Sequence, residues 1–247
     1  MATPLNGSIV HGFEILQLFS DARREVDTAF VCKKLSMNNA TAHRLLMTLE
    51  HVGALRRIRR GVFVLGSEME RLGGLAERHN PIARIIEPDL QALGTRLNES
   101  VMACRFSHHG PTCIAVATSS RAISVNIEVG TLLPLVRSAQ GKLWLAHMTE
   151  AERNKCLATM EVSNATPIDR PKLDQELKEI LADGYSVNLG DNEPDIAAVS
   201  VPVFGQAGRV VLTLSVFGML SRFDPSFVER ARNELGAVAA QVSDQLD

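Results

Sequence analysis

The stretch NATAHRLLMTLEHVGALRRIRRGVFVLG (39–66) changes character halfway along. In its first part Ala42, Leu45, Leu46, Leu49 and Val52 recur at helical spacing and form one apolar stripe. At about 100° per residue, the opposite face carries Ala40, His43, Arg44 and Met47, with Asn39 at its N-terminal edge. Gly53 supplies the C-terminal stop. Beyond it Leu55 and Ile58 bracket Arg56 and Arg57, and Val62-Phe63-Val64-Leu65 is rich in β-formers. Arg59-Arg60-Gly61 reads as the turn between two strands, Gly61 being free to take a positive φ. Arginines this close together repel one another. Arg56, Arg57, Arg59 and Arg60 are therefore either a solvated turn or a surface that faces something strongly negative.

What lies upstream favours the second reading. Ser8 is placed to cap a helix whose apolar positions are Ile9, Phe13, Leu16 and Phe19, and SDARREVD (20–27) ends it. A second, short helix runs from about Thr28, with Phe30, Val31 and Leu35 inward and Lys33 and Lys34 outward. Ser36 to Asn39 form the turn into the third helix. Three helices followed by a basic-tipped hairpin describe a winged helix-turn-helix. In that arrangement the third helix enters the major groove of double-stranded DNA, and the hairpin tip lies over phosphates or the minor groove. Arg44 and Asn39 are the candidates for base edges, since arginine suits guanine and asparagine adenine. His43 suits either. Lys33, Lys34, Arg56, Arg57, Arg59 and Arg60 hold phosphates, which position the protein without specifying sequence.

The charge distribution agrees. Residues 1–80 carry 11 Lys and Arg against 8 Asp and Glu, whereas 81–247 carry 15 against 20. A basic segment on an otherwise acidic chain points to a polyanion partner for that segment alone. The 247 residues, 45% hydrophobic and 22% charged, can bury a sizeable core. Cys32, Cys104, Cys113 and Cys156 contain no CxxC pair and suit a reducing compartment. The N-terminal residues lack a signal-peptide pattern, and no apolar run is long enough to span a membrane. A cytoplasmic protein without membrane contact is expected.

Downstream, SEMERLGGLAERHN (67–80) reads as a polar linker helix, in which Gly73 and Gly74 are either a hinge or a simple loss of helicity. Pro81 opens another helix with Ile82, Ile85, Ile86, Leu90, Leu93 and Leu97 at helical spacing. VMACRF (101–106) and TCIAVAT (112–118) are strands joined by a turn, and AISVNIE (122–128) is expected as a third. Leu143, Leu145, Leu157 and Ile180 lie in helical stretches. AAVSVPVF (197–204) and RVVLTLSVFG (209–218) form a hairpin, and a helix runs from Pro225 to the end. The result is a central antiparallel sheet with helices packed on it.

No catalytic constellation is present. His108, His109 and Cys113 have no acidic partner in register, and adjacent histidines on a turn point apart, so no metal site is assigned. Ser138 and Lys142 are four apart rather than three, which misses the Ser-x-x-Lys nucleophile pattern. AQGK also lacks the flanking residues of a phosphate loop. Gly141 instead permits a tight entry into a helix, whose first free N–H groups suit a carboxylate. No cofactor is expected.

At this point the sequence resembles the IclR family of bacterial transcriptional regulators. Thr41, Ala42, His43, Arg44, Leu45 and Leu46 fit that family's recognition-helix pattern, which adds Thr41 to the DNA-contacting set, and GVFVLG fits its wing. RSAQGKLWLA (137–146), DGYSVN (183–188) and AAVSVPVF resemble its later landmarks. The resemblance implies an α+β chain: a winged helix-turn-helix over 1–66, a linker helix over 67–80, and a GAF-like antiparallel α/β effector and oligomerisation domain over 81–247. It implies a homodimer or homotetramer that answers to a small organic acid or aromatic metabolite, and no enzyme activity. By carry-over, Ala139 and Gln140 offer N–H groups to an anion, and Asn188 and Ser215 add polar contacts. Val125, Leu133, Ala198 and Phe217 form walls. Asn188 is neutral where relatives that bind small keto acids often carry an acidic or polar group, and Phe217 stands where some place serine. A somewhat apolar carboxylate is the expected effector. Two other classes remain open: a small-molecule enzyme with a winged-helix appendage for protein contacts, and a dimerisation module without ligand.

Overall fold

The computed structural model describes residues 5–20, 23–79, 81–107, 110–163 and 168–245. The chain divides into two compact units, Met1–Asn80 and Pro81–Asp247.

The first unit holds α1 (Gly7–Leu16), β1 (Val26–Asp27), α2 (Thr28–Leu35), α3 (Asn39–His51), β2 (Leu55–Arg59) and β3 (Val62–Leu65). Side-chain caps set the helix starts. Asp27 accepts from Phe30 N–H and Asn38 from Thr41 N–H. Asn6, not Ser8, caps α1, accepting from the N–H groups of Ser8 and Ile9. Ser8 lies two residues further on, already inside the first turn. β3 pairs antiparallel with β1 on one side and β2 on the other. Arg59 belongs to β2 and pairs with Val62, so the turn is Arg60-Gly61, with Gly61 at φ 75°.

Ile15, Val26, Val31, Ala42, Leu46, Leu55 and Phe63 form this unit's core. Two expected faces shift. Ile9 and Phe13 are 61% and 60% exposed, and α1 meets α3 through Gly12 and Ile15 instead. A Cβ at Gly12 would lie 3.9 Å from Leu49, so a larger side chain there would push the helices apart. Val52 caps α3 and points to solvent, because the helix has run past the core by that turn. At the end of β3 the backbone of Gly66 crosses that of Gly53 so closely that a Cβ would come within 2.1 Å of the Gly53 oxygen. Then α4 (Ser67–Arg78) runs unbroken through Gly73 and Gly74, where a hinge or loss of helix was expected.

The second unit holds α5 (Pro81–Leu97), β4 (Ser100–Ser107), β5 (Gly110–Ala117), α6 (Ala139–His147), α7 (Glu150–Ser163), α8 (Arg170–Asp183), β6 (Ser186–Leu189), β7 (Ile196–Phe204), β8 (Val210–Met219) and α9 (Pro225–Gln245). The five-stranded sheet has the order β5-β4-β8-β7-β6, every neighbour antiparallel. Strand alternation sorts its two faces. Val101, Ala103, Val199, Val201, Leu212, Leu214 and Val216 pack under Ile86, Leu90 and Leu93 of α5 and Leu235, Val238 and Val242 of α9. Each of these valine, leucine and isoleucine side chains contributes about 1.5–3 kcal/mol on full burial. The opposite face lies under α6, which in turn packs on α7 and α8 through Leu143, Leu145, Leu157, Leu173 and Leu177.

Residues 122–128 do not form the expected third strand. Val125 and Ile127 nonetheless pack against the cluster of Met102, Leu133 and Phe217. Their backbone, however, does not reach the sheet edge. The outer edge of β5 is filled by residues 130–133: Cys113 N–H donates to Thr131 O, and Gly130 and Leu133 N–H donate to the carbonyls of Cys113 and Pro111.

Candidate nucleic-acid interface and ligand face

α3 presents Asn39, Ala40, His43 and Arg44 to solvent, with Thr41 half-buried beside them. The Asn38 cap engages Thr41 N–H at 2.8 Å, so the first turn is fixed by a residue just outside the exposed set. Lys33 and Lys34 are exposed on the last turn of α2, which ends with Ser36 in the left-handed region at φ 51°.

The wing arginines divide into two kinds. Arg57 turns back onto α3: its Nε donates to Glu50 Oε1 at 3.1 Å, and its Nη2 bonds both Glu50 Oε2 and, at 3.3 Å, Met47 Sδ. The hydrogen bond and charge of Glu50 hold the Arg57 pKa above its ordinary value. Arg59 Nη2 donates to Glu25 Oε2 at 2.7 Å. Arg56 and Arg60, like Arg44, Lys33 and Lys34, have no carboxylate partner among the described residues. The two acids within residues 27–66 are both engaged internally, Asp27 as a cap and Glu50 as the partner of Arg57. Glu25 and Glu50 were missed as wing partners, because neither is close in sequence to the arginine it binds.

On the α6 side of the sheet, three rows of side chains run across the strands. Asn188, Ala198 and Phe217 stand in one row, Ser186, Ser200, Ser215 and Met102 in the next, and Pro202, Thr213, Cys104 and Cys113 in the third. Val125 and Leu133 close over Phe217, Ala198 and Met102. All the ligand-site residues expected from sequence are therefore in or beside this one face.

The entry to α6 explains the Ser-x-x-Gly-Lys segment. Ser138 Oγ accepts from Gly141 N–H at 3.0 Å and donates to Pro134 O at 2.6 Å. A Cβ on Gly141 would lie 2.1 Å from Leu135 O, so only glycine fits. Ala139 and Gln140, buried in the first turn, have N–H groups that a helix leaves without an internal partner. Lys142 ties α6 to Glu176 of α8 at 2.8 Å and to Asp191 at 2.9 Å.

Asn188 is already occupied. Its Nδ2 donates to Arg137 O, and its Oδ1 accepts from Gly190 and Asp191 N–H at 3.1 and 3.2 Å. Ser200 and Ser215 hydroxyls bond each other. Ser186 Oγ and Trp144 Nε1, in contrast, are buried with no partner among the described residues. Leaving such a group unpaired costs roughly 1–3 kcal/mol. Ser186 was missed, though it lies two residues before Asn188 and so on the same face. A groove of about 400 Å³ between α9 and β7, lined by Pro202, Phe204, Arg232 and Ser243 among others, contains none of the expected ligand residues. Among the described residues no group of His, Cys, Asp or Glu is placed to hold a metal ion, and His108 and His109 lie outside those residues. No helix among them is long and apolar enough to cross a membrane.

Comparison with known proteins agrees with this architecture. The family model for the bacterial transcriptional regulator IclR C-terminal region matches residues 75–244, and that for the IclR helix-turn-helix domain matches residues 8–59. The HTH-type transcriptional regulator XynR of Escherichia coli is 25% identical over 94% of this chain and 94% of its own. An IclR-family regulator from Brucella abortus has the same fold at TM-score 0.88, with 22% identity over 98% of this chain and 93% of that one. An IclR homologue from Microbacterium hydrocarbonoxydans, solved in complex with 4-hydroxybenzoate, superposes at TM-score 0.71, with 22% identity over 97% and 98% of the two chains. These chains share a DNA-binding helix-turn-helix and a C-terminal effector domain. The protein belongs to the IclR family of bacterial transcriptional regulators.

Proposed function

We propose that this regulator reads an operator through Asn39, Thr41, His43 and Arg44, holds phosphates through Lys33, Lys34 and the wing arginines, and is controlled by a small, partly apolar carboxylate bound on the α6 face of the sheet. In this reading residues 1–66 bind DNA, 67–80 link, and 81–247 take the effector and assemble the protein as a homodimer or homotetramer in the cytoplasm. The carboxylate meets the N–H groups of Ala139 and Gln140, where the helix dipole favours negative charge. Val125, Leu133, Ala198 and Phe217 enclose its apolar part. Ser215 and Ser186, on either side of Ser200 in one row, meet the polar substituents, and Asn188 shapes the rim through its bonds to Arg137, Gly190 and Asp191.

The observation that carries the ligand reading is the unpartnered hydroxyl of Ser186, 1% exposed, in register with Ser200 and Ser215. A hydroxyl row with capacity to spare, on the sheet face that α6 packs against, fits a ligand with polar and apolar sides. The 4-hydroxybenzoate held by the Microbacterium relative is of that class. Titration calorimetry with 4-hydroxybenzoate, benzoate and pyruvate tests it. Binding of an aromatic acid that weakens in Ser215→Ala and Ser186→Ala is expected. Absence of heat with all three acids, or equal affinities in the variants, counts against it. The ligand can either strengthen or release DNA binding, according to which state it prefers. The enzyme alternative has no support, since the relatives are named as regulators.

A further inference from the structure

Cys104 of β4 and Cys113 of β5 stand opposite each other in the antiparallel ladder. Both are free thiols, buried, and part of one cluster with Met102, Leu133 and Phe217. Backbone bonding shows what kind of pair they are. Cys113 N–H donates outward to Thr131 O at 2.9 Å, and its carbonyl accepts from Gly130 N–H at 2.8 Å. Neither group is aimed at β4. Two places along, Phe106 faces Pro111, which has no N–H to give, so the alternation of the ladder agrees. Cys104 and Cys113 are thus a non-hydrogen-bonded pair, the kind with Cα atoms about 4.5 Å apart and side chains at closest approach. The pair sits beside the bulge between Ala103 and Cys104, and a disulfide needs a Cα separation of roughly 4.4–6.8 Å, a range that includes such a pair.

We propose that Cys104 and Cys113 are a reversible dithiol–disulfide pair, oxidised by a small hydroperoxide, that gives this regulator an input separate from its organic effector. The proposal rests on strand register and stands whether or not a carboxylate binds. In the reduced protein Cys113 Sγ donates to Ala115 O at 3.6 Å, and Cys104 Sγ accepts from Gln140 Nε2 at 3.6 Å. The neighbouring Cys113 thiol and burial push Cys104 well up, whereas the neighbouring Cys104 thiol and the bond to Ala115 hold Cys113 below its ordinary value against the effect of burial. Cys113 is therefore the attacking sulfur.

In the first step the Cys113 thiolate attacks a peroxide oxygen. An S–O bond forms, the O–O bond breaks, and the departing hydroxide takes the proton Cys113 gave up, leaving as water. Cys104 then attacks the sulfenic sulfur of Cys113. The S–S bond forms, the S–O bond breaks, and hydroxide leaves with the Cys104 proton as a second water. Two thiols have lost two electrons and the peroxide has gained them. A dithiol reverses the bond by exchange through a mixed disulfide.

The consequence reaches α6. Gln140 Nε2 donates to Cys104 Sγ at 3.6 Å, and the segment carrying Thr131 and Leu133 hangs on the backbone of β5. Drawing Cys104 into a disulfide changes the partner of Gln140 in the first turn of that helix. Trp144, the single tryptophan of the chain, lies one turn further along and reports the change.

The test exposes the full chain to hydrogen peroxide with glutathione in the same tube, blocks remaining thiols by alkylation, and maps the unreduced digest by mass spectrometry. The expected product is a crosslinked peptide pair containing Cys104 and Cys113, lighter by two hydrogens than the two thiol peptides and separated again by dithiothreitol. It also forms in the Cys32→Ser, Cys156→Ser chain. Trp144 fluorescence shifts with oxidation and returns with reduction, and Cys113→Ala shows neither change. Recovery of Cys104 and Cys113 as free thiols or sulfinic acids while the glutathione is consumed would overturn the proposal. A crosslink that leaves Trp144 fluorescence unchanged overturns the input, leaving an inert bond.

Discussion

Arg57 on the wing reaches back to Glu50 on α3, with Nε and Oε1 3.1 Å apart, so one ion pair ties the hairpin to the helix beside it. The tie also neutralises a cation that an unstructured basic turn would offer to DNA. Glu50→Gln releases that charge. Fluorescence anisotropy is expected to show tighter binding to operator and scrambled duplex alike, with the log–log salt slope steeper by up to roughly 1. An unchanged slope with weaker operator binding would mean that the pair serves wing orientation alone.

The glycines of this chain differ sharply in what they allow. Gly141→Ala drives a Cβ into the carbonyls of Leu135 and Pro134, 2.1 and 2.6 Å away, both of them backbone. Thermal unfolding is expected to show a loss of at least about 1–3 kcal/mol, the range for forced overpacking. Gly73→Ala meets nothing within 4 Å in the middle of α4. It is expected to gain about 0.5–1 kcal/mol from helix propensity and chain entropy.

Glu99 is a buried carboxylate, 1% exposed, held by Arg222 Nη2 at 2.9 Å and by Arg121 Nε at 3.1 Å. Arg121 also donates to Asn98 O at 2.7 Å, which pins the start of the segment carrying Val125. Glu99→Ala leaves the Arg222 guanidinium, itself largely buried, without its counter-ion. Denaturant unfolding is expected to report a loss of about 3–5 kcal/mol. Arg121→Ala is expected to cost less, since its side chain reaches solvent.

Lys142 gives a pH signature. Burial works against its charge, but the hydrogen bonds and charges of Glu176 and Asp191 outweigh burial and hold its pKa above the ordinary 10.5. A raised folded pKa stabilises the protein fully below the unfolded value, and the contribution is lost as pH climbs through the folded one. The difference in denaturation midpoint between wild type and Lys142→Met is therefore expected to stay constant from neutral pH to about 10 and to shrink only above that. A difference that shrinks between pH 6 and 8 would assign the effect to another group.

Much of this was legible in the sequence where the signal is local. The stripe through Ala42, Leu45 and Leu46, the stop at Gly53 and the positive φ at Gly61 each depend on a few neighbouring residues. Long-range pairing was not legible. Glu50 and Arg57 meet only because the hairpin folds back, and nothing at a spacing of seven announces that. The apolar run in 122–128 reads as a strand; Val125 and Ile127 do pack inward, but side-chain pattern says nothing about whether the backbone joins a sheet, and residues 130–133 take the edge of β5. Asn188 was read as a ligand contact from its place in a landmark. Its amide turns out to hold three backbone groups at the rim, and on the same face it is the buried Ser186 hydroxyl that has no partner among the described residues.

Sequence-specific DNA binding by the face of α3 is the central claim. Its most direct test is anisotropy of wild type and Arg44→Ala on a duplex from upstream of the protein's own gene and on a scrambled duplex, over a salt series. Wild type is expected to prefer the upstream duplex with a steep negative log–log salt slope, and Arg44→Ala to lose about 1–3 kcal/mol on that duplex alone. Equal wild-type affinity for both duplexes, or an equal loss on both in the variant, would contradict it.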